Sequence, residues 1–299
     1  MAKTILVHAS ELVTCSGFRA KFGSEMNELT IIEDGAALIE NGIITAVGTT
    51  GELFSSHKDV QVIDCTGKAV LPGFVDSHTH FVFDGYREEE FSWRLKGESY
   101  MDIMLRGGGI QSTTLATRAA SKDRMAESGR KRLASMLSLG VTTVEGKSGY
   151  GLDLDTEIKQ LEVMRQLKEQ QPVDIVPTFM GAHSVPTEYK GDPDGYINFI
   201  INSVLPVVAE KKLAEFCDVF CEANVFDLEQ SSRLLLAGAK YGMKPKLHAD
   251  EIVPIGGTEL AAQLGAVSAD HLLHASEEGI GLLAKNGVVA TLSQRFKSG

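Results

Sequence analysis

The chain of 299 residues is 43% hydrophobic and 23% charged, the balance of a globular protein with one large domain and a small companion. Its 40 acidic residues outnumber 29 basic ones for a formal net charge of −11, and it has no Lys/Arg cluster, which argues against nucleic-acid or anionic-lipid partners. No apolar run reaches the roughly 18–20 residues that span a bilayer, the opening MAKTILVHASELVTC lacks a signal-peptide pattern, and four scattered cysteines build no disulfide scaffold, so a cytoplasmic location is expected.

The N-terminal part carries β signals. ILVHASEL (5–12), LTIIEDGAALIENGIITAVG (29–48) and VQVIDC (60–65) are rich in β-branched residues, and Asn41-Gly42 is a hairpin turn. These are assigned to a small β-rich domain over 1–68. From residue 69 to 299 strands alternate with helices. Seven strands are expected: GFVDSH (73–78), VTTVEGK (141–147), VDIVPTF (173–179), FCDVFCE (216–222), KPKLHAD (244–250), AVSADHL (266–272) and GVVATL (287–292). Helical stretches separate them, among them DRMAESGRKRLASMLSLG (123–140) and DTEIKQLEVMRQLKEQ (155–170). The latter has a helix-period apolar face at Ile158, Leu161 and Val163-Met164, opened by Asp155 or Thr156 as cap. Repeated strand–helix units mean a parallel sheet with helices outside it, here a TIM-type (β/α) barrel with seven of eight strands in this chain. Cys217 and Cys221 sit on a buried strand and read as inert core thiols.

Polar residues collect at the C-terminal ends of these strands, where parallel barrels keep their chemistry. HTH (78–80) ends the first, EGKSGYG (145–151) the second, LHADE (247–251) the fifth and ADHLLH (269–274) the sixth, while MGAHSVP (180–186) follows the third. Taken alone, an HxH pair fits a capping histidine beside a packed one as well as half a metal site. Its recurrence with His, Glu, Lys and Tyr at other strand ends favours the metal site. Neutral imidazoles of His78, His80 and His248 suit a divalent ion. Glu251, three residues after His248, is placed to move a proton, and His271 to hydrogen-bond a developing oxyanion. These are the parts of a metal-dependent hydrolase for a C–N bond. RGGGIQST (106–113) lacks the Lys-Ser/Thr of a phosphate loop and reads as a mobile loop beside the site. His8, His57 and His274 have no partners in the pattern and read as structural or exposed.

FVDSHTHFVFDGYREEEF (74–91), KSGYGLD (147–153), PTFMGAHSVP (177–186), DVFCE (218–222), KLHADE (246–251) and GAVSADHLLH (265–274) together closely resemble the imidazolonepropionases of the amidohydrolase superfamily. The resemblance runs from about residue 5 to 292. It implies hydrolytic opening of 4-imidazolone-5-propanoate to N-formimidoyl-L-glutamate in histidine degradation, by a homodimer. It assigns His78, His80 and His248 to one zinc or iron ion, Glu251 and His271 to proton handling and the oxyanion, and Arg87, Tyr150 and His183 to substrate binding. Arg87 offers a planar fork for the substrate carboxylate, and Gly149 and Gly151 free the backbone that carries Tyr150. The neighbouring Glu88–Glu90 are expected to face solvent or pair elsewhere. Lys147 is read as a polar strand-end residue, not as a carboxylated metal bridge.

The family pattern continues beyond the seventh strand to an eighth that ends in an aspartate completing the metal site, whereas here SQRFKSG follows GVVATL. The expectation is therefore of a fragment with impaired folding or activity. Two other readings stand beside it: a purine or pyrimidine deaminase using the same machinery, and a non-catalytic product that binds metal or a partner chain.

Overall fold

The computed structural model describes residues 3–292 apart from 16, 18–20, 22, 58, 99–101 and 104–107. Its contacts divide the chain into two units, Met1–Gly73 and Phe74–Gly299. The first unit is a five-stranded sheet. Strands β1 (Lys3–Val13), β2 (Ile31–Glu40), β3 (Ile43–Thr49) and β4 (Gln61–Asp64) lie in the order β3-β2-β1-β4, and β5 (Ala69–Val70) also pairs with β1. The β2–β3 hairpin turns at Asn41-Gly42, both left-handed at φ 54° and 81°, as a two-residue turn that matches strand twist requires. Ile5, Val7, Ala36 and Leu38 form one small core of this unit, and Ala9, Leu12, Ala37 and Cys65 another.

Among its described residues the second unit has seven parallel strands paired in chain order: β6 (Phe74–Thr79), β7 (Val141–Lys147), β8 (Asp174–Ala182), β9 (Phe216–Cys221), β10 (Lys244–Ala249), β11 (Ser268–His271) and β12 (Val289–Thr291). This is the strand set of a TIM-type barrel, and each strand falls where the alternating pattern placed it. Helices α1 (Thr50–Phe54), in the first unit, α2 (Glu88–Leu95), α3 (Ile110–Ala119), α4 (Lys122–Ser138) and α5 (Leu154–Gln170) precede β8. Then come α6 (Pro193–Phe199), α7 (Leu205–Glu210), α8 (Leu228–Lys240), α9 (Gly257–Gln263) and α10 (Glu277–Asn286).

Helix α5 shows why the sequence folds this way. Ile158, Leu161, Val163, Met164 and Leu167 are buried, the stripe an amphipathic helix turns to a sheet. Its cap is Asp153, not Asp155 or Thr156. The Asp153 backbone is extended and its carboxylate accepts the Thr156 N–H at 2.7 Å, the geometry a cap needs three residues before the N–H it satisfies. Asp155 instead lies in the first turn, where its charge favours the helix dipole. Within GGGIQST a second correction arises. Ile110 onward is not a loop but the start of α3, with Gly109 as cap and its N–H given to the buried Glu90 carboxylate at 2.6 Å; Arg106 and Gly107 lie outside the described residues. Cys217 and Cys221 are buried free thiols, and burial pushes Cys221 up to about 11.

The packing of α5 is testable. Leu161 is fully buried and Leu139 is 74% exposed. Leu161→Ala is expected to cost about 2–5 kcal/mol in urea unfolding, and Leu139→Ala less than about 0.5 kcal/mol; equal costs would contradict this packing.

Candidate active site

Alternation along a strand sends every second side chain to the same face. On β7 that pairs Glu145 with Lys147, on β10 Lys246 with His248, and on β11 Ser268 with Asp270. Asp218 on β9 joins them. The result is a buried layer of charge in which Lys147 and Asp270 are fully buried. Lys147 Nζ donates to Glu145 Oε1 and Asp218 Oδ2, each at 2.8 Å, and lies 3.1 Å from Asp270 Oδ2. Lys246 Nζ donates to Glu145 Oε2 at 2.7 Å. Ser268 donates to Asp270 Oδ1, and the Val219 N–H to Asp218 Oδ1. Burial disfavours the Lys147 ammonium, but Asp218, Asp270 and Glu145 outweigh it and hold its pKa above the usual lysine range. Burial likewise works against the two aspartates. For Asp270 the His78 hydrogen bond and Lys147 reverse it, and for Asp218 Lys147 does, so both carboxyls are held below their usual range.

The histidines sit on this layer. His78 Nδ1 donates to Asp270 Oδ2 at 2.7 Å, and His80 Nδ1 to the Ser148 carbonyl at 3.0 Å. Each ring thus has Nε2 left for another partner. His183, nearly stacked on His80 with ring centroids 4.6 Å apart, donates Nδ1–H to the Gly149 carbonyl. His248 Nδ1 is 3.1 Å from Asp218 Oδ2 but out of hydrogen-bond alignment, so both its buried ring nitrogens lack a hydrogen bond among the described residues. His271 Nε2 is also buried without one, 3.7 Å from Glu251 Oε2. Orphaned buried imidazole nitrogens are costly unless something else binds them. Ligand atoms of His78, His248 and His271 lie within 4.8 Å of one another, as do those of His80, His183 and His248. His248 is common to both groups. Among the described residues no such group joins His78 to His80, but each group fits a divalent metal ion, with the Nδ1 bonds of His78 and His80 orienting the rings as such ligands require.

The loops are fixed by buried carboxylates. Glu157 accepts the N–H groups of Gly149, Gly151 and Leu152, which brackets Tyr150. Gly149 has φ 106°, and a Cβ there would lie 2.7 Å from the Met180 carbonyl oxygen, so only glycine brings this loop against His183. Asp250 accepts from the Ile255, Gly256, Gly257 and Thr258 N–H groups and from the Thr258 hydroxyl. Glu222 accepts from Ile252 and Val253. Between these anchors stands Glu251. Asp250, His271 and Leu272 all have left-handed φ, at 48°, 74° and 56°, a strain of about 1–3 kcal/mol each that recurs at functional sites.

All eight candidate residues (His78, His80, Arg87, Tyr150, His183, His248, Glu251 and His271) line one cavity of about 300 Å³. A larger cavity of about 690 Å³ beside Asp227 and Glu229 contains none of them. Arg87 stands at the start of α2 without a side-chain cap bond and lies 3.9 Å from Glu90, which is buried; Glu88 and Glu89 are exposed. Arg94 also lines the cavity and was not singled out, although its spacing of seven from Arg87 puts both on one helix face. Nor were Asp218, Asp270, Glu157 and Asp250 given roles; the period-two pattern on the strands is the signal for the first two. His8 pairs with Asp34 and the His57 ring bonds the Leu53 carbonyl, both in the first unit.

The metal-free site has a pH signature. Burial lowers His183 and His271 to about 4 and keeps His80 and His248 well below the usual histidine value. Histidines of the unfolded chain titrate near ~6.5, so between about 6.5 and 4 the unfolded chain binds more protons and folding stability falls as pH drops. From pH 7 to pH 5 the metal-free protein is expected to lose about 2 kcal/mol for each of His183 and His271, read as a falling urea midpoint. A midpoint unchanged over that interval would contradict the neutral, buried rings.

No family model matches the chain. Over 290 residues it is 59% identical to an imidazolonepropionase of Clostridium tetani, covering 96% of this chain and 69% of that protein. An imidazolonepropionase of Bacteroides fragilis is 57% identical over 296 residues, covering 98% of this chain and 71% of that protein. Among solved structures, a guanine deaminase of E. coli superposes with a TM-score of 0.68 at 14% identity, covering 98% of this chain and 67% of that one. The last similarity concerns the fold alone.

Proposed function

This chain belongs to the imidazolonepropionase family, and on that premise we propose that it opens the ring of 4-imidazolone-5-propanoate with water, giving N-formimidoyl-L-glutamate in histidine degradation. It is a hydrolase of a C–N bond. The observation that carries the reading is the convergence of all eight candidate residues on one cavity, in a chain 59% identical to an imidazolonepropionase. A deaminase is not favoured, since the deaminase likeness stands at 14% identity.

His78, His80 and His248 hold one ion, zinc or iron; the reading is supported by the Nδ1 bonds of the first two and the unpaired nitrogens of the third. Such an ion supplies Lewis acidity, polarising the substrate and drawing a water pKa towards neutrality. Glu251 takes the proton of the attacking water and passes it to the leaving ring nitrogen. His271, 3.7 Å from Glu251 and neutral at pH 7, donates to the oxyanion that forms at the attacked carbon. Arg87 receives the propanoate carboxylate, a local cation on a chain of net charge −11. Tyr150 and His183, side by side with ring centroids 5.2 Å apart, orient the ring. We read the protein as a cytoplasmic homodimer from its family; among the described residues no helix is long and apolar enough to cross a membrane.

The test is loss of 4-imidazolone-5-propanoate absorbance on adding the chain with excess zinc. Glu251→Gln is expected to lower kcat about 10²–10⁴-fold, Arg87→Met to raise KM at least about tenfold with a smaller effect on kcat, and His248→Ala to abolish turnover. Full turnover by His248→Ala, or none by the zinc-loaded wild type, would overturn the proposal.

A further inference from the structure

Lys147 has no task in the hydrolysis proposed above, yet its ammonium lies at the centre of the charges beneath the histidines. Two oxygens there are shared. Asp218 Oδ2 accepts from Lys147 Nζ at 2.8 Å and lies 3.1 Å from His248 Nδ1. Asp270 Oδ2 lies 3.1 Å from Lys147 Nζ and accepts from His78 Nδ1 at 2.7 Å. One ligand atom each from Asp218, His248 and Asp270 lie within 4.8 Å of one another, and all three residues are buried. Two carboxylates and an imidazole at that spacing are donors for a divalent ion. Here a lysine ammonium reaches the same two carboxylates, with Glu145 as a third contact.

We propose that the Lys147 ammonium is the tethered second cation of this centre. It takes the place of a divalent ion between Asp218 and Asp270, holds their carboxylates against Nδ1 of His248 and His78, and limits the centre to one metal ion. The charge balance supports this. Glu145, Asp218 and Asp270 contribute three negative charges, and Lys147 and Lys246 two positive ones. Without Lys147 the buried layer carries two uncompensated negative charges, which one divalent ion neutralises. Losing a buried partner leaves its carboxylates unpaired in a low-dielectric interior, a strong drive to recruit a cation. The inference rests on the reading that His78, His80 and His248 hold a metal.

The test counts ions instead of turnover. The metal-stripped chain of 299 residues is titrated with Co²⁺, and bound equivalents and visible absorption are measured. One equivalent is expected for the wild type and two for Lys147→Ala. A single equivalent in Lys147→Ala overturns the inference while leaving the metal reading intact. A wild type that takes no Co²⁺ overturns both. Should Lys147→Ala fail to fold, the double variant Lys147→Ala/Asp218→Asn, which removes one of the unbalanced charges, is titrated in its place. It is expected to bind one equivalent, because only one of the two carboxylates that Lys147 bridges is still charged. Two equivalents in that variant also overturn the inference, since the second ion would then not need Asp218.

Discussion

Mutual neutralisation of charge out of water is the condition on which the rest of the site stands. Glu145, Asp218, Asp270, Lys147 and Lys246 are all buried, and removing one member of a buried ion pair typically costs about 3–5 kcal/mol. These side chains come from β7, β9, β10 and β11, so the layer ties the sheet together as well as supporting the histidines. A core of aliphatic side chains would be cheaper to bury but would leave His78 without the carboxylate that orients its ring. The Asp270 oxygen that meets the ammonium is also the one that His78 bonds, so the orientation of that ring and the stability of the sheet share a common group.

A second use of buried carboxylates governs the loops. Glu157, Asp250 and Glu222 each gather backbone N–H groups that would otherwise be orphaned below the surface. Glu157 stays buried despite a pKa raised by desolvation, because its hydrogen bonds partly offset that cost. The loops around Tyr150 and Glu251 are thereby held without being part of a strand or helix. Asp250, at left-handed φ, makes five hydrogen bonds of this kind, and His271, also at left-handed φ, lines the cavity.

Much of this was legible in the sequence. The seven strands of the second unit follow from β-branched runs between helix-period segments, and the Asn41-Gly42 turn from its two residues alone. That His78 and His80 line one cavity was readable because a spacing of two at a strand end is a spatial statement. His183 and Tyr150 came instead through resemblance, since nothing local says that a loop histidine will stack on a strand histidine. For Asp218 and Asp270 the period-two pattern marks the face but not the partners, which lie 71 and 192 residues away, and the role of Glu157 depends on its burial. The cap of α5 was misplaced by two or three residues because Asp153, Asp155 and Thr156 all satisfy cap chemistry, and only backbone conformation separates them. The start of α3 was missed because a run of glycines hides a helix whose cap is held from outside by Glu90.

The pairing of β6 to β12 in chain order also bears on how the protein is made. Each new strand leaving the ribosome finds its neighbour already synthesised, so the sheet grows by local additions, which keeps loop-closure entropy small at every step. The charges follow a different schedule. Glu145 and Lys147 emerge together, Asp218 follows after the whole of β8, and Asp270 comes only with β11. Until β11 docks, the inner face of the nascent sheet must keep water around its acids and lysines. The incomplete barrel is therefore hydrated on the very face that will be driest in the finished protein.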